Sequence, residues 1–302
     1  MLFYLIAMRL YKRKSEIGAT IFKILCYNTP MRILILALIL ALAISLILSP
    51  AAPAAQSESG TVCTSDNITI AYDHYQNGFD SVIIVCPGFY NSKENRWMKK
   101  TVELLSAAHD VIIFDMRGHG ASGGTFTWSS REDADVTAVI DYAKSKGYKH
   151  IGILAYSLGA AAAINAVAER DSVESMVIIS CPYRFDKIDY RFWEPGMFSD
   201  LFDNIACGWH GKGARPGNPL LAKERPIDSI GRIKDASMLF IHGDRDWIVK
   251  SRHSQKLYDA APGPKKIEIV KGGLHAERLV QCHYELMKQI ILDWFSQTLK
   301  KG

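Results

Sequence analysis

Short apolar runs alternate with helix-length amphipathic stretches from about residue 67 onward, and this rhythm constrains the fold more than any other feature of the chain. The runs are NITIAYDHY (67–75), SVIIVC (81–86), DVIIFD (110–115), HIGILAY (150–156), SMVIIS (175–180), SMLFIH (237–242) and KIEIV (266–270). A strand with one solvated face alternates apolar and polar residues. Several of these runs are instead apolar at consecutive positions, which requires burial on both faces and places them centrally in a mostly parallel sheet. Helical patterns at 95–108, 130–147, 158–170, 251–260 and 276–299 would supply the covering layers. The predicted architecture is α/β, a doubly wound and mostly parallel sheet forming one domain over residues 61–302, preceded by a Ser/Gly-rich linker at 56–60.

The rhythm breaks once. Between Cys181 and Ser237 no strand is evident, and residues 183–209 hold eight aromatics: Tyr183, Phe185, Tyr190, Phe192, Trp193, Phe198, Phe202 and Trp209. The chain as a whole is 10% aromatic, so this density needs an explanation. Two remain open, a small satellite core or an apolar lid, at about 182–235, whose Phe192 and Trp193 would line a substrate pocket.

Composition excludes several classes. With 302 residues, 48% of them hydrophobic, the chain can bury a large core and is not a disordered segment. Six cysteines with no CxxC pair support neither a disulfide framework nor a zinc site, and Cys86 and Cys181, which end apolar runs, read as small buried hydrophobes. The formal charge of +5 is confined to the segment 1–32, where Arg9, Lys12, Arg13, Lys14, Lys23 and Arg32 face Glu16 alone. Beyond it acids and bases balance, which leaves no electrostatic footprint for nucleic acid.

Residues 33–48, ILILALILALAISLIL, carry no charge and one polar side chain, Ser45. The run is slightly long for a signal peptide and slightly short for a bilayer span, so two readings of the segment 33–55 stand. Ala52, Pro53 and Ala54 form an A-x-A-like cleavage site, and Met31–Arg32 would make a short basic start. Alternatively the basic side before the run and the polar QSESG after it predict a retained single-pass anchor, with the α/β domain outside the cytoplasm. Both attach the chain to membrane export.

The residues richest in chemistry are AYSLG, Ala155 to Gly159, between the strand HIGIL and a small-residue helix. A serine at the tip of a strand-to-helix turn is pushed out of the sheet, and small residues two positions either side let the turn close. A serine hydroxyl needs a base, and the base an orienting group. IHGDRDWIV supplies Asp244 and Asp246 after one strand, and KGGLHAE supplies His275 after the next. Loops at the C-terminal ends of parallel strands share one edge of the sheet, so Ser157, His275 and an aspartate can meet. Asp246 is preferred as orienter, with Asp244 the alternative. His74, His109, His119, His150, His210, His242, His253 and His283 lack that placement and read as surface or structural. Two backbone amides for an oxyanion are expected from Leu158, next to the nucleophile, and from Phe89 in the PGFYN turn.

In this order, PGF at 87–89, DMRGHGAS at 115–122, AYSLG at 155–159, HGDRD at 242–246 and LHAE at 274–277 make residues 66–299 resemble the α/β-hydrolase fold superfamily, specifically its lidded serine esterases and lipase-like enzymes. Ala155 departs from the usual glycine. The resemblance implies an acyl-type hydrolysis with Ser157, Asp246 and His275 as triad, no cofactor and no metal, but no particular substrate. It is the aromatic segment 183–209, read as a lid, that favours a small-molecule ester with an apolar acyl group. The resemblance also implies that Asp115, Arg117 and His119 belong to a structural loop. Gly118 to Gly123 fits GxGxxG, but TFTWSS follows where a dinucleotide fingerprint needs a helix. An amide hydrolase and a noncatalytic binding protein on the same fold are the remaining alternatives.

Overall fold

In the computed structural model, residues 56–170, 173–188, 197–198 and 213–299 are described below. All seven apolar runs form strands: β2 (Thr69–Gln76), β3 (Ser81–Cys86), β4 (Asp110–Phe114), β5 (His150–Tyr156), β6 (Ser175–Ile179), β7 (Ser237–Gly243) and β8 (Lys265–Val270). An eighth was not anticipated. Residues 56–60, expected as a linker, open β1 (Gln56–Cys63), which pairs antiparallel with β2 from Gln56↔Gln76 to Cys63↔Thr69. Its side chains are largely exposed, so backbone pairing rather than apolar burial holds it, and no hydrophobic pattern marks it in the sequence.

The strand order is β1-β2-β4-β3-β5-β6-β7-β8. β2 is antiparallel to both of its neighbours, and every pair from β4 to β8 is parallel. Side chains alternate across this sheet. Val82, Ile84, Ile153, Ala155, Ile178 and Phe240 enter one core, against helices α2 (Asp133–Ser145), α3 (Ser157–Arg170) and α4 (Arg252–Ala260). Ile83, Val85, Leu154, Tyr156, Val177 and Leu239 enter the other, against α1 (Arg96–Leu105), α5 (Glu277–Cys282) and α6 (Tyr284–Thr298). This two-sided burial is the reason the runs are apolar at consecutive positions, each fully buried Ile or Val contributing about 1.5–3 kcal/mol. Ala160 to Ala163 and Ala166 are buried in the first core, letting α3 lie close to the sheet and to α2.

The last helical stretch is two helices. The chain leaves helical geometry at His283 (φ −132°, ψ 40°), although no glycine or proline announces the break. Between β6 and β7 no strand occurs among the described residues. Tyr183 and Phe185, partly buried, pack against the first core. Residues 215–217 return over Phe126, with Phe126 N–H donating to Arg215 O and Gly217 N–H to Phe126 O. Phe192 and Trp193 lie outside the described residues, as do the segment 1–32 and the apolar run 33–48. Among the described residues no helix is long and apolar enough to cross a membrane.

Candidate active site

β5 ends at Tyr156, and Ser157 opens α3 with φ at +47°, in the left-handed region that costs a non-glycine residue about 1–2 kcal/mol. The turn is tight on one side only. A Cβ at Gly159 would lie 2.3 Å from Pro87 O and 2.5 Å from Cys86 O, so no side chain fits there. The Ala155 side chain instead enters the first core without exposure, which explains why alanine serves where the family pattern has glycine.

The loop after β7 carries Asp246 and the loop after β8 carries His275. They meet because two glycines touch: a Cβ on Gly243 would stand 2.2 Å from Gly273 O. Arg245 N–H donates to Gly273 O and Asp244 N–H to Val270 O. His275 Nε2 then lies 2.9 Å from Ser157 Oγ, and His275 Nδ1 lies 2.7 Å from Asp246 Oδ2. The two aspartates part company here. Asp246 has a fully buried side chain on the histidine, whereas Asp244 accepts the Gly272 amide through Oδ1 at 2.7 Å and braces the glycine loop from outside.

Asp246 is held by more than His275. Its Oδ1 accepts the Ile248 and Val249 amides at 2.9 and 2.8 Å, and the imidazole of His242 approaches Oδ2 at 3.2 Å. Burial by itself would push this carboxyl up, but His275 and His242, through charge and hydrogen bonding, outweigh it and hold the group well below the usual carboxylate range. Ser180, at the end of β6, accepts the Ala276 amide at 3.0 Å through its hydroxyl and so fixes the residue beside His275. Both Ser180 (φ 53°) and Ala276 (φ 50°) are left-handed, a pairing with no sequence signal. His242 and Ser180 are the site residues that sequence reasoning passed over.

Facing Ser157 is the turn after β3. A Cβ on Gly88 would sit 3.3 Å from Ser157 Cβ, so the chain passes directly over the nucleophile candidate. Phe89 follows, 52% exposed, its ring 4.9 Å from that of Phe126. Leu158 is the second residue of α3, where an N–H has no acceptor within its own helix. The DMRGHGAS loop supports this turn. His119 Nδ1 donates to Arg117 O, which leaves Nε2 to accept the Tyr90 amide at 3.1 Å, and Asp115 Oδ1 accepts the Lys93 amide at 2.7 Å. Burial pushes the His119 pKa down, favouring the neutral ring this acceptor role needs. Arg117 is buried between Asp135 and Asp66. The glycines from Gly118 to Gly123 close a loop, Gly118 N–H donating to Gly123 O, and the next helix begins only at Asp133, so they do not form a dinucleotide site. No group of three or more His, Cys, Asp or Glu among the described residues could hold a metal ion.

This architecture has clear relatives. Residues 81–206 match the family model described as the alpha/beta hydrolase fold. An uncharacterized protein of Bacillus subtilis, YqkD, is 29% identical over 224 residues, covering 70% of each chain. The Pyrococcus furiosus esterase Pf2001 superposes with a TM-score of 0.65 at 22% identity, over 81% of this chain and 93% of its own. The Rhodococcus esterase RhEst1 does so with a TM-score of 0.65 at 16% identity, over 80% and 99%. The chain carries the α/β-hydrolase fold, an architecture on which many chemistries are built.

Proposed function

We propose that the protein is a serine hydrolase that cleaves a small-molecule carboxylic ester or thioester through an acyl-enzyme. The observation that carries this reading is the unbroken hydrogen-bond chain from Ser157 Oγ through His275 to Asp246. In the proposed cycle Ser157 Oγ attacks the substrate carbonyl while His275 Nε2 takes its proton, and the ionised Asp246 steadies the imidazolium. The amides of Phe89 and Leu158 receive the oxyanion. His275 returns the proton to the departing alcohol or thiol, then deprotonates a water that attacks the acyl carbonyl and frees Ser157. The cycle uses no cofactor and no metal. The esterases that share this fold support the reading, as does the aromatic surface of Phe89 on Phe126, which suits an apolar acyl group better than a sugar or a charged peptide.

A panel of p-nitrophenyl esters from acetate to decanoate, with a matched thioester and anilide, tests it. We expect ester hydrolysis, with kcat/KM rising toward medium chains by up to about fourfold per methylene, the factor set by about 0.8 kcal/mol per buried CH₂. Replacing Phe192 and Trp193 with alanine is expected to flatten that rise. A preference for the anilide would reassign the enzyme as an amidase, and inertness toward every substrate and toward a fluorophosphonate probe would leave a noncatalytic binding protein.

We propose in addition that residues 33–48 attach this domain to a membrane, with the domain outside the cytoplasm, on the strength of the uncharged apolar run and the basic residues before it. Protease added to intact cells or spheroplasts is expected to digest the domain, which otherwise sediments with membranes. Full protection would overturn this.

A further inference from the structure

His242, the penultimate residue of β7, has no exposed surface, and a buried imidazole needs a partner for each nitrogen. Nδ1 lies 2.7 Å from the Ser254 hydroxyl on α4, and Nε2 lies 2.6 Å from Val249 O. A carbonyl oxygen can only accept, so Nε2 carries the hydrogen. The same Nε2 is 3.2 Å from Asp246 Oδ2, the oxygen on which His275 Nδ1 also converges. The other carboxylate oxygen is occupied by the Ile248 and Val249 amides.

We infer that His242 is a positioning residue of the proposed proton relay, its Nε2–H shared between Val249 O and Asp246 Oδ2 so that Oδ2 stays against His275. The inference rests on the serine-hydrolase reading. Two consequences follow from the chemistry. A second donor on Oδ2 stabilises the ionised carboxylate, so that a proton gained by His275 during acylation stays on the imidazole. It also opposes rotation of the carboxylate, whose misplacement by an ångström would cost about 100-fold in rate. Ser254 sets the plane of the His242 ring from the opposite side. The other titratable groups around it are Lys250, whose Nζ donates to Asp246 O, with Arg252 and with His253, which accepts the Tyr183 amide at Nδ1, at the start of α4.

The experiment compares His242→Leu, His242→Gln and Ser254→Ala in the full chain, using p-nitrophenyl butyrate and a fluorophosphonate probe, with thermal melting as the check on folding. Leucine removes the donor. We expect kcat to fall about 10- to 100-fold with KM within twofold, and probe labelling to slow by the same factor. The acid limb of kcat/KM should move to higher pH, because a less stabilised Asp246 carboxylate holds the His275 proton more tightly. Glutamine can present an N–H near the Nε2 position and is expected to restore most of kcat and the original limb. Ser254→Ala should lower kcat about 3- to 10-fold.

A folded His242→Leu with wild-type kcat and an unmoved acid limb would overturn the inference. So would a glutamine variant as impaired as leucine with the limb in place, which is the behaviour of a purely structural residue. If His242→Leu does not fold, Ser254→Ala at wild-type kcat overturns it. A wild-type chain that neither turns over the ester nor reacts with the probe refutes the hydrolase reading itself and takes this inference with it, an outcome distinct from all the others.

Discussion

Ser157→Ala is expected to lower ester turnover by about 10³- to 10⁶-fold while leaving the fold intact. The Oγ is the only atom removed. It lies at the tip of a turn, with His275 Nε2 at 2.9 Å, and the residue is neither inside the sheet nor in either core cluster. Alanine keeps the Cβ and places no new atom against Gly88, so the melting temperature should move little. The mutant should also fail to react with a fluorophosphonate probe. Turnover close to wild type, measured with p-nitrophenyl butyrate on protein purified away from host esterases, would remove Ser157 from the proposed mechanism.

The second large effect separates two carboxylates that lie two residues apart. Asp246→Asn is expected to cost about 10³- to 10⁴-fold in kcat, because an amide neither fixes the tautomer of His275 nor balances the imidazolium formed in the transition state. Asp244→Asn should change kcat by less than about threefold, since an asparagine Oδ1 can still accept the Gly272 amide. The reverse order would transfer the role to Asp244. Stability should respond to acid through the same residue. The Asp246 carboxyl has its folded pKa below its unfolded one, so its stabilisation is complete above about pH 5 and is lost as pH falls through the ordinary carboxylate range toward the depressed value. Melting curves of wild type and Asp246→Asn should therefore converge as the pH is lowered.

Much of the sheet was legible because burial on both faces writes itself into composition. Val82 to Cys86 are five consecutive apolar residues with no exposed surface, divided between the two cores. β1 was illegible for the complementary reason. QSESGTVC is held at the edge of the sheet largely by backbone hydrogen bonds that any non-proline residue can make, with Val62 alone packing on the first core, so no apolar pattern records the pairing. The break at His283 likewise leaves no mark, since neither of the usual helix breakers is present there.

For the site, local sequence pattern is enough to show which residue types stand at the C-terminal ends of which strands. Ser157 sits at a strand-to-helix turn, His275 in a glycine loop, and two aspartates follow β7, because elbows and loops have local chemistry. Partnership was decided only in three dimensions. His275 reaches 118 residues back to Ser157 and 29 back to Asp246, and which aspartate it meets depends on Gly243 and Gly273 touching across two loops. His242 appears in the sequence as one more histidine at the end of an apolar strand. Its place beside Asp246 is set by the turn through Val249 and by Ser254 on α4. Periodicity records whether a side chain is buried. It does not record which polar atom it faces there, because that depends on contacts between segments that no local pattern encodes.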